Sequence, residues 1–205
     1  MRVLVVDSGT GNLRSVRRAL ERAGATVVSS ADPEAIRAAD RVVVPGQGSF
    51  GAFARALGGG LGEAIREHIA RDRPYLGICL GLQALFDGSD EAPGAPGLGV
   101  LAGHVRRLSS GRVDSQGRRF KVPHMGWNDV RGAHPLLPDR GWFYFVHSFV
   151  ADPGDPAVTV GVADYGEPLC AAVARSSLFA CQFHPEKSQR EGARLLARFL
   201  EGGWS

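Results

Sequence analysis

Pro74-Tyr75-Leu76-Gly77-Ile78-Cys79-Leu80-Gly81-Leu82-Gln83-Ala84-Leu85-Phe86 is a short apolar run that meets a cysteine between two glycines and then turns helical. A strand enters, a helix leaves, and Cys79 sits on the corner. Gly77-x-Cys79-x-Gly81 is the cysteine form of the nucleophile elbow, whose small flanking residues permit a tight strand-to-helix turn that exposes the central side chain. The first free N–H groups of the helix point toward a thiol so placed, and their partial positive charge favours the thiolate. Taken alone, the same residues describe a buried cysteine beside two turn glycines, which is what most lone cysteines are. A nucleophile also needs a base and an orienting group, and these must come from elsewhere in the chain.

Upstream of the elbow, strand and helix signals alternate. Val3 to Val6 is a continuous apolar run, as expected of a strand buried on both faces of a parallel sheet. In Asp7-Ser8-Gly9-Thr10-Gly11-Asn12 the spacing Gly9-x-Gly11 invites a dinucleotide fingerprint, but Arg14 stands where the third glycine belongs. The glycines then serve turn geometry, with Asn12 as N-cap of a helix from Leu13 to Ala23 and Gly24 as its stop. Thr26-Val27-Val28 is a second strand, Pro33-Glu34 opens a short helix, and Arg41 to Val44 is a third strand. This alternation predicts an α/β fold with a mostly parallel central sheet. The third strand ends in Pro45-Gly46-Gln47-Gly48-Ser49-Phe50, at the carboxyl end where open α/β sheets place ligands. Its glycines leave backbone amides bare, as donors for an oxyanion must be. An amphipathic helical stretch over 51–71, interrupted at Gly58-Gly59-Gly60, leads into the elbow.

Beyond Phe86 the pattern changes to a loop over 87–99 and then to short apolar runs of antiparallel character. His104 to Leu108 and Phe120 to Val122 read as strands around a polar hairpin, Ser109 to Arg119. Pro123-His124-Met125-Gly126-Trp127-Asn128 reads as a turn. Trp142 to Phe149 reads as one strand of high aromatic density, mostly core. Leu178 to Phe183 reads as a strand ending in His184-Pro185-Glu186-Lys187-Ser188, followed by a helix through Leu200. His184 and Glu186 are two residues apart at a strand end, where alternation points both to one side. A carboxylate beside an imidazole selects its tautomer and stabilises the imidazolium, so this pair supplies the missing base and orienter. Cys170 and Cys181 lie inside apolar strands without flanking glycines, where burial keeps a thiol protonated and inert. His68, His104, His124, His134 and His147 have no carboxylate two residues away.

At 205 residues, with 44% apolar and 22% charged, the chain is long enough for one globular domain spanning 1–205. Three cysteines without a C-x-x-C pair indicate neither a disulfide framework nor a zinc ribbon, and fit a reducing compartment. The apolar run at the start is stopped by Asp7, too early for a signal peptide or a membrane span, so a cytoplasmic protein is expected. The formal charge of +3 comes from basic residues spread along the chain, without the clustering that nucleic-acid binding requires. No metal site, cofactor site or phosphate loop is indicated.

Gly77-Ile78-Cys79-Leu80-Gly81-Leu82-Gln83, with Pro45-Gly46-x-Gly48 before it and His184-Pro185-Glu186 after it, resembles the class I (triad) glutamine amidotransferases in motif and order. Asp7-x-Gly9-x-Gly11-Asn12-Leu13-Arg14-Ser15-Val16, Lys121 to Asn128 and Tyr144 to Ser148 resemble one branch of that family, the glutaminase subunits of imidazole glycerol phosphate synthase of histidine biosynthesis. The resemblance implies a three-layer, flavodoxin-like fold and a catalytic triad of Cys79, His184 and Glu186. It implies an oxyanion held by the Leu80 and Gly48 amides, with the Gln47 peptide reorienting first. By the same resemblance Gly46, Gln83, Ser148 and the backbone of Phe149 contact glutamine. It further implies a heterodimer with a TIM-barrel cyclase subunit, reached through Trp127, Asn128, Tyr144 and Lys187, that receives ammonia through a channel. Gln47 and Phe149 depart from the Val and Tyr usual there. The alternatives of the same fold are the glutaminase of another synthase, such as that of pyridoxal phosphate, and a non-catalytic binding relative. The intact Cys79, His184 and Glu186 argue against the last.

Overall fold

A computed structural model describes residues 1–10, 12–113, 116–117 and 119–204. Gly11 of the first turn, and Asp114, Ser115 and Arg118 of the expected polar hairpin, lie outside the described residues.

The first half builds the predicted parallel sheet. Strands β1 (Arg2–Val6), β2 (Thr26–Ser30), β3 (Val42–Gly46) and β4 (Tyr75–Cys79) alternate with helices α1 (Leu13–Arg22), α2 (Pro33–Ala38), α3 (Phe50–Ala56) and α4 (Leu61–Ala70). Along β1, Leu4 and Val6 join one core cluster while Val3 and Val5 join the other, which is why the strand reads as an unbroken apolar run. The first cluster packs the sheet against α2, α3 and α4 through residues such as Ile36, Phe53 and Ile65. The second packs it against α1 and α6 (Gln189–Glu201) through Val16, Leu20, Leu195 and Phe199. Asn12 caps α1 by accepting from the Ser15 amide at 3.2 Å. The helical stretch over 51–71 is two helices, because Gly59 and Gly60 take positive φ of 62° and 93° between them.

The elbow helix, α5 (Leu80–Gln83), is shorter than its sequence suggests. The carbonyls that would continue it are taken by the next loop: Ala84 by Leu98, Leu85 by Val100 and Leu101, and Phe86 by Gly99. A single turn carries little macrodipole, so the amides of that turn, and not a long helix, face the thiol.

The second half adds β5 (Gly103–Arg107), β6 (His124–Gly132), β7 (Arg140–His147), β8 (Phe149–Pro153), β9 (Thr159–Asp164), β10 (Pro168–Arg175) and β11 (Leu178–Cys181). One sheet of nine strands runs in the order β2-β1-β3-β4-β11-β10-β9-β6-β7. Its first five strands are mutually parallel, in the flavodoxin-like order, and the remainder are antiparallel. This is the architecture that the resemblance implies, and the expected antiparallel additions fall in the C-terminal half. Several local expectations change. β5 pairs with β8 in a separate two-stranded sheet, and Phe120–Val122 forms no strand. Phe120 instead packs edge-on to Tyr165, whose hydroxyl donates to the Lys121 carbonyl at 2.9 Å. His124 to Asn128 is not a turn but the start of β6, in register with β7 at Met125–Val146 and Trp127–Tyr144. Of the aromatic strand only alternate residues are core: Phe143 and Phe145 are buried, whereas Trp142 is 55% exposed. The strand ends at His147, and the chain passes through Ser148 into the other sheet.

Candidate active site

At the end of β4, Cys79 takes φ 55° and ψ −103°, a backbone conformation that L residues rarely adopt and that aims its side chain off the corner. Both flanking glycines are required by close packing. A Cβ on Gly81 would lie 1.9 Å from the Val44 carbonyl oxygen, and one on Gly77 would lie 2.5 Å from the Gly81 carbonyl oxygen.

Cys79 opens on a cavity of about 330 Å3. Gln47, Gly48, Leu80, Gln83, Ser148, Phe149 and His184 line it together with Glu91, Pro123, Val146 and His147. Eight of the sequence-predicted residues therefore meet at one place: these seven and Cys79. Gly48 has φ +100°, open to glycine at no steric cost. Gly46 does not line the cavity. A Cβ there would meet the Leu80 Cβ at 2.6 Å and the Phe53 ring at 2.8 Å, so this glycine lets α3 and α5 close on β3.

His184 and Glu186 meet, but not by strand alternation. The strand stops at Cys181, and His184 caps a 3-10 turn over Pro185–Lys187 that folds the carboxylate back beneath the ring. His184 Nδ1 lies 2.8 Å from Glu186 Oε1, both side chains being 2% exposed. The carboxylate fixes the proton on Nδ1 and leaves Nε2, which has no hydrogen-bond partner among the described residues, on the side of the ring away from it. Burial is the largest influence on this imidazole and lowers its pKa, but Cys79 and then Glu186 outweigh it and raise the value to about 10. Both neighbours therefore favour the protonated, charged form of the ring. The turn is anchored from behind, where Ser188 Oγ donates to the His184 carbonyl at 2.6 Å and accepts from the Tyr144 amide at 3.0 Å.

The other thiols are unsuited to attack, as expected of them. Burial pushes the Cys170 thiol up to about 11 and also raises Cys181 well above the usual thiol range. A second imidazole–carboxylate contact, His104 to Asp90 at 2.8 Å, lies apart from this cavity, with His104 lining a different surface pocket.

A hydrogen-bonded chain beside the cavity joins Gln182, Gln83, His147 and His124, of which Gln182 alone lies outside the motifs. Gln182 donates from Nε2 to Cys79 Sγ at 3.5 Å and accepts from Gln83 Nε2 at 3.0 Å. Gln83 Nε2 also donates to the Phe149 carbonyl at 2.9 Å, while its buried Oε1 has no hydrogen-bond partner among the described residues. His147 reaches the same Phe149 carbonyl through Nδ1 at 2.9 Å and His124 Nδ1 through Nε2 at 3.0 Å. Gln182 had a signal in the sequence, as the one polar residue of Leu178-Phe179-Ala180-Cys181-Gln182-Phe183.

Trp127 and Tyr144 pair across β6 and β7 with ring centroids 6.1 Å apart, and Lys187 Nζ stands 5.8 Å from the Tyr144 centroid. These three share one face, and Trp127 is 44% exposed. Asn128 is held by its own chain instead, donating to the Asp164 carbonyl at 2.8 Å. Among the described residues no cluster of His, Cys, Asp or Glu is arranged to hold a metal ion, and no helix is long and apolar enough to cross a membrane.

An elbow cysteine, a buried imidazole–carboxylate pair and a glycine-rich loop around one cavity of this sheet define a class, and the family model of class I glutamine amidotransferases matches residues 4–202. The chain belongs to that family. Within it, the chain is 47% identical over 206 residues to the imidazole glycerol phosphate synthase subunit HisH of Methylococcus capsulatus, with 97% of this chain and 95% of that protein covered. It is 48% identical over 207 residues to the HisH subunit of Dechloromonas aromatica, with 97% and 95% covered. Among solved structures, a glutamine amidotransferase superposes with TM-score 0.74 at 24% identity, covering 97% of each chain. PurLQS from Thermotoga maritima gives 0.72 at 20% identity, with 98% of this chain and 97% of that one covered, a likeness of fold.

Proposed function

We propose that this chain is the glutaminase subunit of an imidazole glycerol phosphate synthase and that Cys79, His184 and Glu186 are its catalytic triad. The thiolate attacks the side-chain amide carbon of glutamine, and the Gly48 and Leu80 amides hold the oxyanion, with the Gln47 peptide turning to present its neighbour. His184 gives its proton to the departing ammonia, leaving a thioester on Cys79. Water, deprotonated by His184, then releases glutamate and restores the thiol. Gln83 and Ser148 hold the amino-acid end with the Phe149 backbone, and the unpartnered Gln83 Oε1 is an acceptor ready for an ammonium group.

The observation that carries this proposal is the His184–Glu186 contact of 2.8 Å on the wall of the cavity into which Cys79 opens. The high identity to HisH subunits supports the choice of synthase. On that reading the partner is a TIM-barrel cyclase subunit bound in a heterodimer at the face of Trp127, Tyr144 and Lys187, with Asn128 at its edge. Val146 belongs to the same strand as Tyr144 and lines the cavity, so that face adjoins the site from which ammonia leaves through a channel. The products of the assembled enzyme are imidazole glycerol phosphate and an aminoimidazole carboxamide ribotide, made in the cytoplasm without a cofactor on this chain.

The test compares wild type with Cys79→Ala in the complex with the cyclase, fed either glutamine or ammonium. Glutamine-dependent synthesis should vanish and ammonium-dependent synthesis survive. Loss of both would make Cys79 structural, and failure of the cyclase to raise glutaminase turnover would reassign the partner.

A further inference from the structure

Gln182 is fully buried directly after β11, where an apolar side chain would satisfy the strand pattern. Its amide orientation is forced. Gln83 Nε2 donates to the Phe149 carbonyl, which can only accept, so Gln83 presents N–H and not oxygen to its other neighbour, Gln182 Oε1. That leaves Gln182 Nε2 facing Cys79 Sγ at 3.5 Å with an N–H to give. His147 donates to the same Phe149 carbonyl through Nδ1 at 2.9 Å, a second donor that holds the acceptor in place. The amide of Gln182 thus has one role open to it, and a hydrogen bond to sulfur is much stronger when the sulfur is charged.

We propose that Gln182 is a positioning residue for the nucleophile: its side-chain N–H holds the Cys79 sulfur as thiolate, and Gln83 and the Phe149 carbonyl hold Gln182. The proposal rests on Cys79 being the reactive group and goes beyond the triad in assigning part of its activation to a residue outside the motif.

The experiment is the pH dependence of Cys79 alkylation by iodoacetamide in the full chain, followed by mass mapping of the labelled peptide. Gln182→Met fills the space and removes the donor. Gln182→Asn keeps an amide but is a methylene short of the sulfur. The titratable groups around Cys79 are His184 and Glu186 on the 3-10 turn, Cys181 on β11, His147 on β7 and Glu91 on the loop after α5, and all are unchanged in both variants. Both variants should move the alkylation midpoint up by about one pH unit or more, a roughly tenfold fall in thiolate at neutral pH. Buried Cys170 and Cys181 should stay unlabelled, which shows that the core has not opened. A midpoint equal to wild type in either folded variant overturns the proposal, as does failure of both variants to fold, which would make the residue purely structural. Iodoacetamide reads the sulfur without glutamine. Lack of glutamine turnover by the wild-type complex would therefore sink the proposed function while the midpoint still decides the role of Gln182.

Discussion

At the scale of single residues, the proposed triad depends on how Cys79, His184 and Glu186 share protons. His184 can shuttle one only if Nδ1 stays protonated, and the Glu186 carboxylate is what keeps the Nδ1 proton there. Glu186→Gln preserves the shape but offers an amide that can present a donor to Nδ1 and select the wrong tautomer. Glutaminase kcat in the partner complex should fall by roughly 10^2- to 10^4-fold with KM changed far less. A variant retaining most of its kcat would show that the carboxylate only packs. The pair was visible in the sequence as two titratable residues around a proline, because the turn that joins them is local. Gln182 was visible only as an anomaly, since its partners Cys79 and Gln83 lie 103 and 99 residues away and nothing in a linear pattern brings them together.

At the scale of elements, the elbow shows why glycine is needed on both sides of Cys79. The sequence suggested small residues that permit a tight turn, and the structure adds that β3 and β4 pack so closely on α5 that no side chain fits. Gly81→Ala would drive its Cβ into the Val44 carbonyl and should cost roughly 2–4 kcal/mol, read from the urea midpoint and slope. An unchanged midpoint would mean that β3 yields freely. Strands with continuous apolar runs, β1, β3 and β4, were legible because both faces are buried. The antiparallel half was less so: β5 finds β8 across 41 intervening residues, a pairing that no periodicity encodes, as Gly103 pairs with Pro153 and Arg107 with Phe149. The β6–β7 ribbon leaves Trp127 half exposed beside Tyr144, and Trp127→Ala should weaken cyclase binding at least tenfold while leaving the melting temperature of the free chain nearly unchanged. Equal affinity in a titration would move the interface elsewhere.

At the scale of the whole molecule, buried imidazoles set an acid limit. Burial holds His124 down to about 4 and His147 to about 3, and it lowers His68 and His134 as well. In the unfolded chain each takes a proton near pH 6.5, so below that pH the unfolded state binds more protons and the fold loses stability. The loss is about 1.4 kcal/mol per pH unit for a fully shifted imidazole and saturates below the folded values. His184, raised to about 10, acts in the opposite sense, since its contribution is complete below 6.5 and fades as pH rises toward 10. The melting temperature should therefore peak near pH 6.5 and fall on both sides, and a flat profile from 4.5 to 6.5 would contradict the buried, neutral state of these rings. His147, Ser148 and Phe149 are consecutive, yet the first ends a strand of the large sheet and the last begins a strand of the small one. Any molecule clasped by these three residues stitches the two sheets together across their seam. Filling the cavity should thus slow amide hydrogen exchange along β5, a strand that does not line it.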